Sequence, residues 1–233
     1  MIQTPNITNN SSSIDNSESD CQRWLAYLNP NVNHRFAGSD RQDLKKVSAR
    51  VAKANRQNEF ESGRRCAEGL LADLGCNATV EVNPDRSPSW PDGFAGSISH
   101  SKHLVWAAVA SKSSIQSVGI DTENVVTSEA RMMLQASIAT DEEWAIAEST
   151  GLTPEQIFSV VFSAKEAFYK CLYPLKKKFF GFTQAAVDFA SNERLRIRML
   201  ENNPCYGQEP EFLDVFFFTT STDVFTFTWL DQK

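Results

Sequence analysis

No apolar run in these 233 residues approaches the roughly 18 to 20 that a membrane-spanning helix needs, so no membrane span is expected. The first twenty residues, MIQTPNITNNSSSIDNSESD, lack both a basic cluster and an apolar stretch, so they are not expected to act as a secretory signal. Large apolar residues are nearly missing there, and a disordered tail over 1–20 is the expectation. Cysteine is sparse. Cys21, Cys66, Cys76, Cys171 and Cys205 are odd in number and show no C-x-x-C spacing, which fits reduced thiols in the cytoplasm rather than a disulfide framework. Positive charge is also in deficit, and a formal net charge of −6 argues against a general nucleic-acid binder.

What is present is ordinary in bulk: 41% apolar and 22% charged residues suit a globular protein with a packed core. Charge is unevenly placed, however. Between Arg35 and Arg65 nine Lys and Arg stand against four acids, which suits either a solvated helix face or a local anionic ligand. Residues 21–30 read as a short packed element closed by Pro30. From about Gln57, Phe60, Ala67, Leu70, Leu71 and Leu74 recur at helical period until Gly75. Residues 79–82 read as a short strand and 83–93 as a Pro/Gly-punctuated loop.

Three strands are expected next, ending at Ser99-His100-Ser101, at Ala110 and at Glu123. Residues 128–139 read as a helix capped by Ser128, and 141–149 as one capped by Thr140. Thr153-Pro154-Glu155 opens a longer helix that carries Ile157, Val160, Val161, Ala164, Phe168 and Cys171 inward and ends before Pro174. Lys176, Lys177 and Lys178 then sit in a loop. Strands are expected at 185–189, 195–200, 212–219 and 224–230, the last alternating strictly. The fold class expected is α+β, mostly antiparallel strands packed with helices, in two halves, 21–115 and 116–233, joined near Ser113 to Ser117.

Two stretches carry chemistry. In GIDTE (119–123) strand alternation points Asp121 and Glu123 the same way, with Ile120 and Thr122 opposite. In FSAKEAFYK (162–170) Glu166 and Lys170 are i and i+4 on a helix and share a face. Each has a bland reading. Two acids at a strand end serve as ion-pair decoration, and a Glu–Lys pair stabilises the wet face of any helix. Together they suggest three carboxylates around a hard cation, with a lysine beside them for a phosphate-bearing substrate. Ser99-His100-Ser101 is no catalytic triad, since triads unite residues distant in sequence; those side chains suit donation to phosphate oxygens or a satisfied strand end.

The pieces GRRCA (63–67), RSPSWPDG (86–93), GSISHS (96–101), GIDTE (119–123) and FSAKEAFYKCLYP (162–174), in this order and spacing, resemble the larger, monomeric 4'-phosphopantetheinyl transferases. The resemblance is closest to the branch of enterobactin synthase component D and covers about 59–188. Phe162 stands where the family often has Trp. The resemblance implies two similar halves related by pseudo-twofold symmetry, with coenzyme A in the cleft between them. It implies transfer of the 4'-phosphopantetheine arm from coenzyme A to a serine of an apo acyl, peptidyl or aryl carrier protein, releasing 3',5'-ADP. The pathways implied are nonribosomal peptide, siderophore (enterobactin-type) or polyketide synthesis. Asp121, Glu123 and Glu166 match the family's acids for magnesium or manganese. Glu166 also matches its candidate base, Lys170 a phosphate-contacting lysine, Ser99 and His100 phosphate contacts, and Arg64 and Arg86 arginines of the coenzyme A region. Two other readings remain open: a carrier-binding module without turnover, and a different magnesium-dependent phosphoryl or nucleotidyl enzyme.

Overall fold

The computed structural model describes residues 21–38 except 23 and 27, 49–200 except 103, and 212–233. The expected tail over 1–20, Cys205, and the basic residues at 41, 45 and 46 lie outside the described residues. Helical residues at 21–22, 24–26 and 28 come first, then β1 (Val32–Gly38) and α1 (Ala49–Asp73). Two short strands follow, β2 (Glu81–Val82) and β3 (Pro88–Ser89), then β4 (Phe94–His100), β5 (Leu104–Ser111) and β6 (Ile115–Asn124). The helices α2 (Ser128–Ile138), α3 (Asp141–Ala147) and α4 (Pro154–Lys176) lead into β7 (Ala185–Ala190), β8 (Arg194–Met199), β9 (Phe212–Thr219) and β10 (Asp223–Asp231).

The strands form a three-stranded sheet, β1-β5-β4, a five-stranded sheet, β6-β10-β9-β8-β7, and the small pair β2-β3. Every pairing is antiparallel. Mixed α+β layers of antiparallel sheet and helix are therefore the architecture. β5 is apolar from Leu104 to Ala110, as suits a strand covered on both faces. Val105, Ala107 and Val109 meet Ala67, Leu70 and Leu71 of α1, while Trp106, Ala108 and Ala110 meet Ile120, Phe225 and Phe227 of the other sheet. A third cluster joins α4 to the five-stranded sheet through Val160, Val161, Ala164, Phe168, Leu195, Ile197 and Val215. α4 is thus the spine of the second layer, and β6 lies where both layers meet.

Sequence and structure part at several places, each with a local cause. α1 begins at Ala49, well before Gln57, because 49–56 is built of Ala, Arg, Lys, Val and Asn with no breaker, although it shows no apolar period. Thr127, not Ser128, caps α2, its hydroxyl accepting from the Ala130 N–H at 3.3 Å; Ser128 donates instead to Glu155 at 2.9 Å. α4 runs through Pro174 to Lys176, so Lys176 is helical. A proline in the last turn removes one backbone bond without breaking a helix about to end, and Lys177, left-handed at φ 52°, closes it through its N–H to Tyr173 O. The strand at 79–82 shrinks to Glu81–Val82 and pairs with a strand inside the expected loop. β1 has no clean alternation, with Val32 and Phe36 its only buried positions, and only its pairing to β5 identifies it.

Candidate active site

β6 is an edge strand, and an edge leaves N–H groups unpaired. Two are satisfied by side chains of β4: Ser97 Oγ accepts from Ile120 N and Ser99 Oγ from Thr122 N, both at 3.2 Å. On the other side α4 lies close. A Cβ on Gly119 would collide with the carbonyl oxygen of Ala167 and with Cys171, so only glycine lets the helix this near. Ser117 Oγ donates to Cys171 O, and Ser163 and Thr226 share a hydroxyl bond of 2.8 Å. The register of α4 on β6 is therefore fixed, and it brings Glu166 and Lys170 over Asp121 and Glu123.

Asp121 is buried, 3% exposed. Its Oδ1 accepts from Lys170 Nζ at 2.6 Å and from Ser99 Oγ at 2.7 Å, and Lys170 also donates to Ser99 at 3.1 Å. Its Oδ2 is buried with no hydrogen-bond partner. Burial first, and then the neighbouring Asp121 and Glu166, hold the Glu123 carboxyl up at about 7 against the opposing pull of Lys170. Burial also raises Glu166, with Lys170 opposing and Asp121 adding to the effect.

This set fits a hard cation. A buried carboxylate oxygen without a partner, beside two carboxyls that resist ionising together, is relieved by a divalent ion bound to oxygen donors. As the side chains stand, no three His, Cys, Asp or Glu among the described residues are gathered closely enough to share one ion. The Lys170 ammonium is the cation against Asp121 here.

The other sequence-derived residues do not all join this cluster. Ser99 has one proton, already committed to Asp121, so a bond from it to phosphate would require that proton to leave. His100 follows on β4 and alternation turns it to the opposite face, where Nδ1 lies 3.6 Å from Oε2 of the buried Glu59 on α1. Arg64 acts as a strut, donating to the carbonyls of Val80 (2.7 Å) and Glu81 (3.2 Å) while stacking on Phe60. Arg86 is exposed in the turn between β2 and β3. Of the rest of the basic stretch, Arg35 pairs with Asp73 and Arg65 donates to Ser62.

Sequence reasoning missed Asp85, Tyr173 and the bracing role of the serines. The serines could have been found, since Ser97 and Ser99 at i, i+2 share a face. Lys165 is not on a wet face: it is buried against Glu143 at 2.6 Å. Cys171 is no nucleophile, because burial pushes its thiol up to about 12.

Comparison with known proteins follows the same two stretches. A family model described as the 4'-phosphopantetheinyl transferase N-terminal domain matches residues 45–110, and one described as the 4'-phosphopantetheinyl transferase superfamily matches 117–212. The chain is 33% identical over 135 residues to the 4'-phosphopantetheinyl transferase Npt of Nocardia iowensis, covering 58% of this chain and 60% of that protein. It is 32% identical over 142 residues to the 4'-phosphopantetheinyl transferase PptT of Mycobacterium tuberculosis, covering 60% and 61%. It is 34% identical over 121 residues to enterobactin synthase component D of Salmonella typhi, covering 52% and 50%. The chain thus spans between half and about three fifths of the length of these relatives.

Proposed function

This chain belongs to the 4'-phosphopantetheinyl transferase superfamily, and we propose that it moves the 4'-phosphopantetheine arm of coenzyme A onto a serine hydroxyl of an apo carrier protein, releasing 3',5'-ADP. The observation that carries this reading is the Asp121–Lys170 contact with Glu123 and Glu166 beside it, an anionic cluster with its own cation at the meeting of β4, β6 and α4. Coenzyme A would lie in the cleft between the half 21–115 and the half 116–233.

Attack on a pyrophosphate needs charge neutralisation and alignment more than covalent help. Asp121, Glu123 and Glu166 would hold magnesium, or manganese, which when bound neutralises charge on the pyrophosphate. Lys170 is 26% exposed and can turn from Asp121 toward a phosphate oxygen. Glu166, through an oxygen left free of the metal, would take the proton of the serine hydroxyl. The serine oxygen bonds to the phosphorus bearing the pantetheine arm, and the bond to 3',5'-ADP breaks with its electron pair leaving on that product. Arg86, and His100 from the other face of β4, would supply positive or donating groups to phosphates lying outside the Asp121 cluster, and Arg64 shapes the wall behind them.

No helix of the described residues is long and apolar enough to cross a membrane. Among the described residues Cys21, Cys66, Cys76 and Cys171 form no disulfide, which suits work in the cytoplasm; the protein would act there as a monomer on carrier proteins of nonribosomal peptide, siderophore or polyketide synthesis.

The test is the intact mass of an apo peptidyl carrier incubated with the protein, coenzyme A and magnesium. A gain of one phosphopantetheine arm, abolished by chelator and by Asp121→Asn, is expected. A carrier that stays apo, repeated with an apo fatty-acid carrier while coenzyme A still binds, would leave a binding module in place of an enzyme.

A further inference from the structure

Among the described residues only two that are not glycine have a left-handed backbone, Arg86 at φ 69° and Lys177 at φ 52°. They are 91 positions apart in sequence, yet both flank one carboxylate. Asp85 Oδ2 accepts from Tyr173 Oη at 2.7 Å and lies 3.6 Å from Lys177 Nζ. Asp85 Oδ1 accepts from the N–H and hydroxyl of Ser87, at 2.9 and 2.6 Å. A turn closed by Arg86 N to Asn83 O, 2.8 Å, and by Asn83 N to Ser87 O, 2.9 Å, completes the loop. The hydrogen bonds from Ser87, then the one from Tyr173, hold the Asp85 carboxyl well below the usual range. Strained backbone persists where its surroundings over-determine it, and it gathers at functional sites.

The helical side of this contact is the catalytic side. Glu166, Lys170 and Tyr173 follow one another at i, i+4 and i+7 on a single face of α4, and Lys177 is the residue that caps the helix just beyond them. Tyr169, between them, is pushed up to about 12 by burial first and then by Tyr173, Glu166 and Asp85, so the two ends of the face share one electrostatic neighbourhood. Arg86 makes no side-chain hydrogen bond or ion pair among the described residues, so its guanidinium is available to an anion.

We propose that Asp85 is a positioning residue for phosphate binding. It pins Arg86 in its left-handed turn and fastens that turn, through Tyr173 and Lys177, to the face that carries Glu166 and Lys170. Arginine and lysine are then presented to the phosphates of coenzyme A as a fixed pair. This rests on the coenzyme A reading above and adds to it a residue that touches neither substrate nor metal.

The experiment measures coenzyme A affinity by calorimetry, and KM and kcat on an apo carrier, for wild type, Asp85→Asn, Tyr173→Phe, Arg86→Ala and the Asp85→Asn/Arg86→Ala pair. Asp85→Asn should weaken coenzyme A binding about tenfold and raise its KM in step, with kcat held within about twofold. Tyr173→Phe, which keeps the ring, should weaken binding about threefold. Because Asp85 acts through Arg86, adding Asp85→Asn to Arg86→Ala should weaken binding less than about twofold further. Full additivity in that pair, or unchanged affinity in Asp85→Asn and Tyr173→Phe, overturns the inference and leaves the transferase reading standing. Wild type that binds no coenzyme A overturns both.

Discussion

Two lysines five residues apart on α4 meet a carboxylate at the same distance and do opposite things. Lys165 lies 2.6 Å from Glu143 and Lys170 lies 2.6 Å from Asp121. The Lys165 side chain is 1% exposed, and the carbonyls of Ile138 and Phe182 accept its other two protons at 2.8 and 3.0 Å. All three donors of the ammonium are used, on α2, α3 and the turn before β7, so this lysine is a strut. Lys170 is 26% exposed and has two acceptors, Asp121 and Ser99, among the described residues. One donor faces the open side. A pair sealed on every side rigidifies the fold; a pair left open on one side can exchange its partner for a phosphate.

Methionine, of similar length but without charge, breaks each pair and separates the two roles most sharply. Lys170→Met should lower carrier modification by roughly 10² to 10³ and, because it leaves the buried Asp121 with the Ser99 hydroxyl as its remaining side-chain donor, should destabilise by a smaller amount than the sealed pair, about 1 to 3 kcal/mol. Lys165→Met should leave a buried Glu143 carboxylate without its counter-charge and destabilise by about 3 to 5 kcal/mol. Its activity should track the folded fraction. Adding Glu143→Gln should recover part of that loss, because an amide oxygen can still accept from Val187 N or Thr140 N. Denaturant melts and initial rates on the same samples decide it. If Lys170→Met unfolds as readily as Lys165→Met, the distinction collapses.

The difference between these lysines was not legible in the sequence, and the reason is physical. Helix period says that Glu166 and Lys170 share a face, and strand alternation says the same of Asp121 and Glu123, because both are set by local geometry. Lys165 reads as solvated until Glu143, on another helix, comes against it. Asp85 and Tyr173 are likewise partners across 88 positions, and no local pattern joins them. The helix starts at Thr140 and Thr153 were legible for the converse reason, since each capping box lies within four residues. β1 escaped notice because its two buried residues are four apart and its pairing partner lies more than sixty residues away.

The open region should also respond to pH near neutrality. Glu123 has its folded pKa near 7, above the ordinary 4.5, because burial and two neighbouring carboxyls oppose its charge. A carboxyl raised on folding contributes stability below its unfolded pKa and loses it as pH climbs through the folded one. In chelator the protein should therefore be less stable at about pH 8 than at about pH 5, by about 1 to 2 kcal/mol once solvent screening is allowed for. Glu123→Gln should flatten that slope, and magnesium at the higher pH should restore the melting temperature of wild type. A slope unchanged by Glu123→Gln would mean that another group sets the pH response.

The smallest effect expected lies just beyond the open lysine, where α4 ends in Lys176, Lys177, Lys178 and a Phe179 that is 77% exposed. Carrier proteins are acidic, and this chain is itself net negative, so contact needs a local basic face. Lys177 lies 3.6 Å from Asp85 and changing it would disturb that contact, so Lys176 and Lys178 are the pair to change. Lys176→Gln with Lys178→Gln should raise the carrier KM about threefold at low salt and less at high salt, since exposed charges are screened. The coenzyme A KM should stay as it was, because neither side chain is among the groups assigned above to the phosphates. A coenzyme A KM that rises in step would move this segment from carrier docking into the phosphate site, and a carrier KM that does not move would remove it from docking altogether.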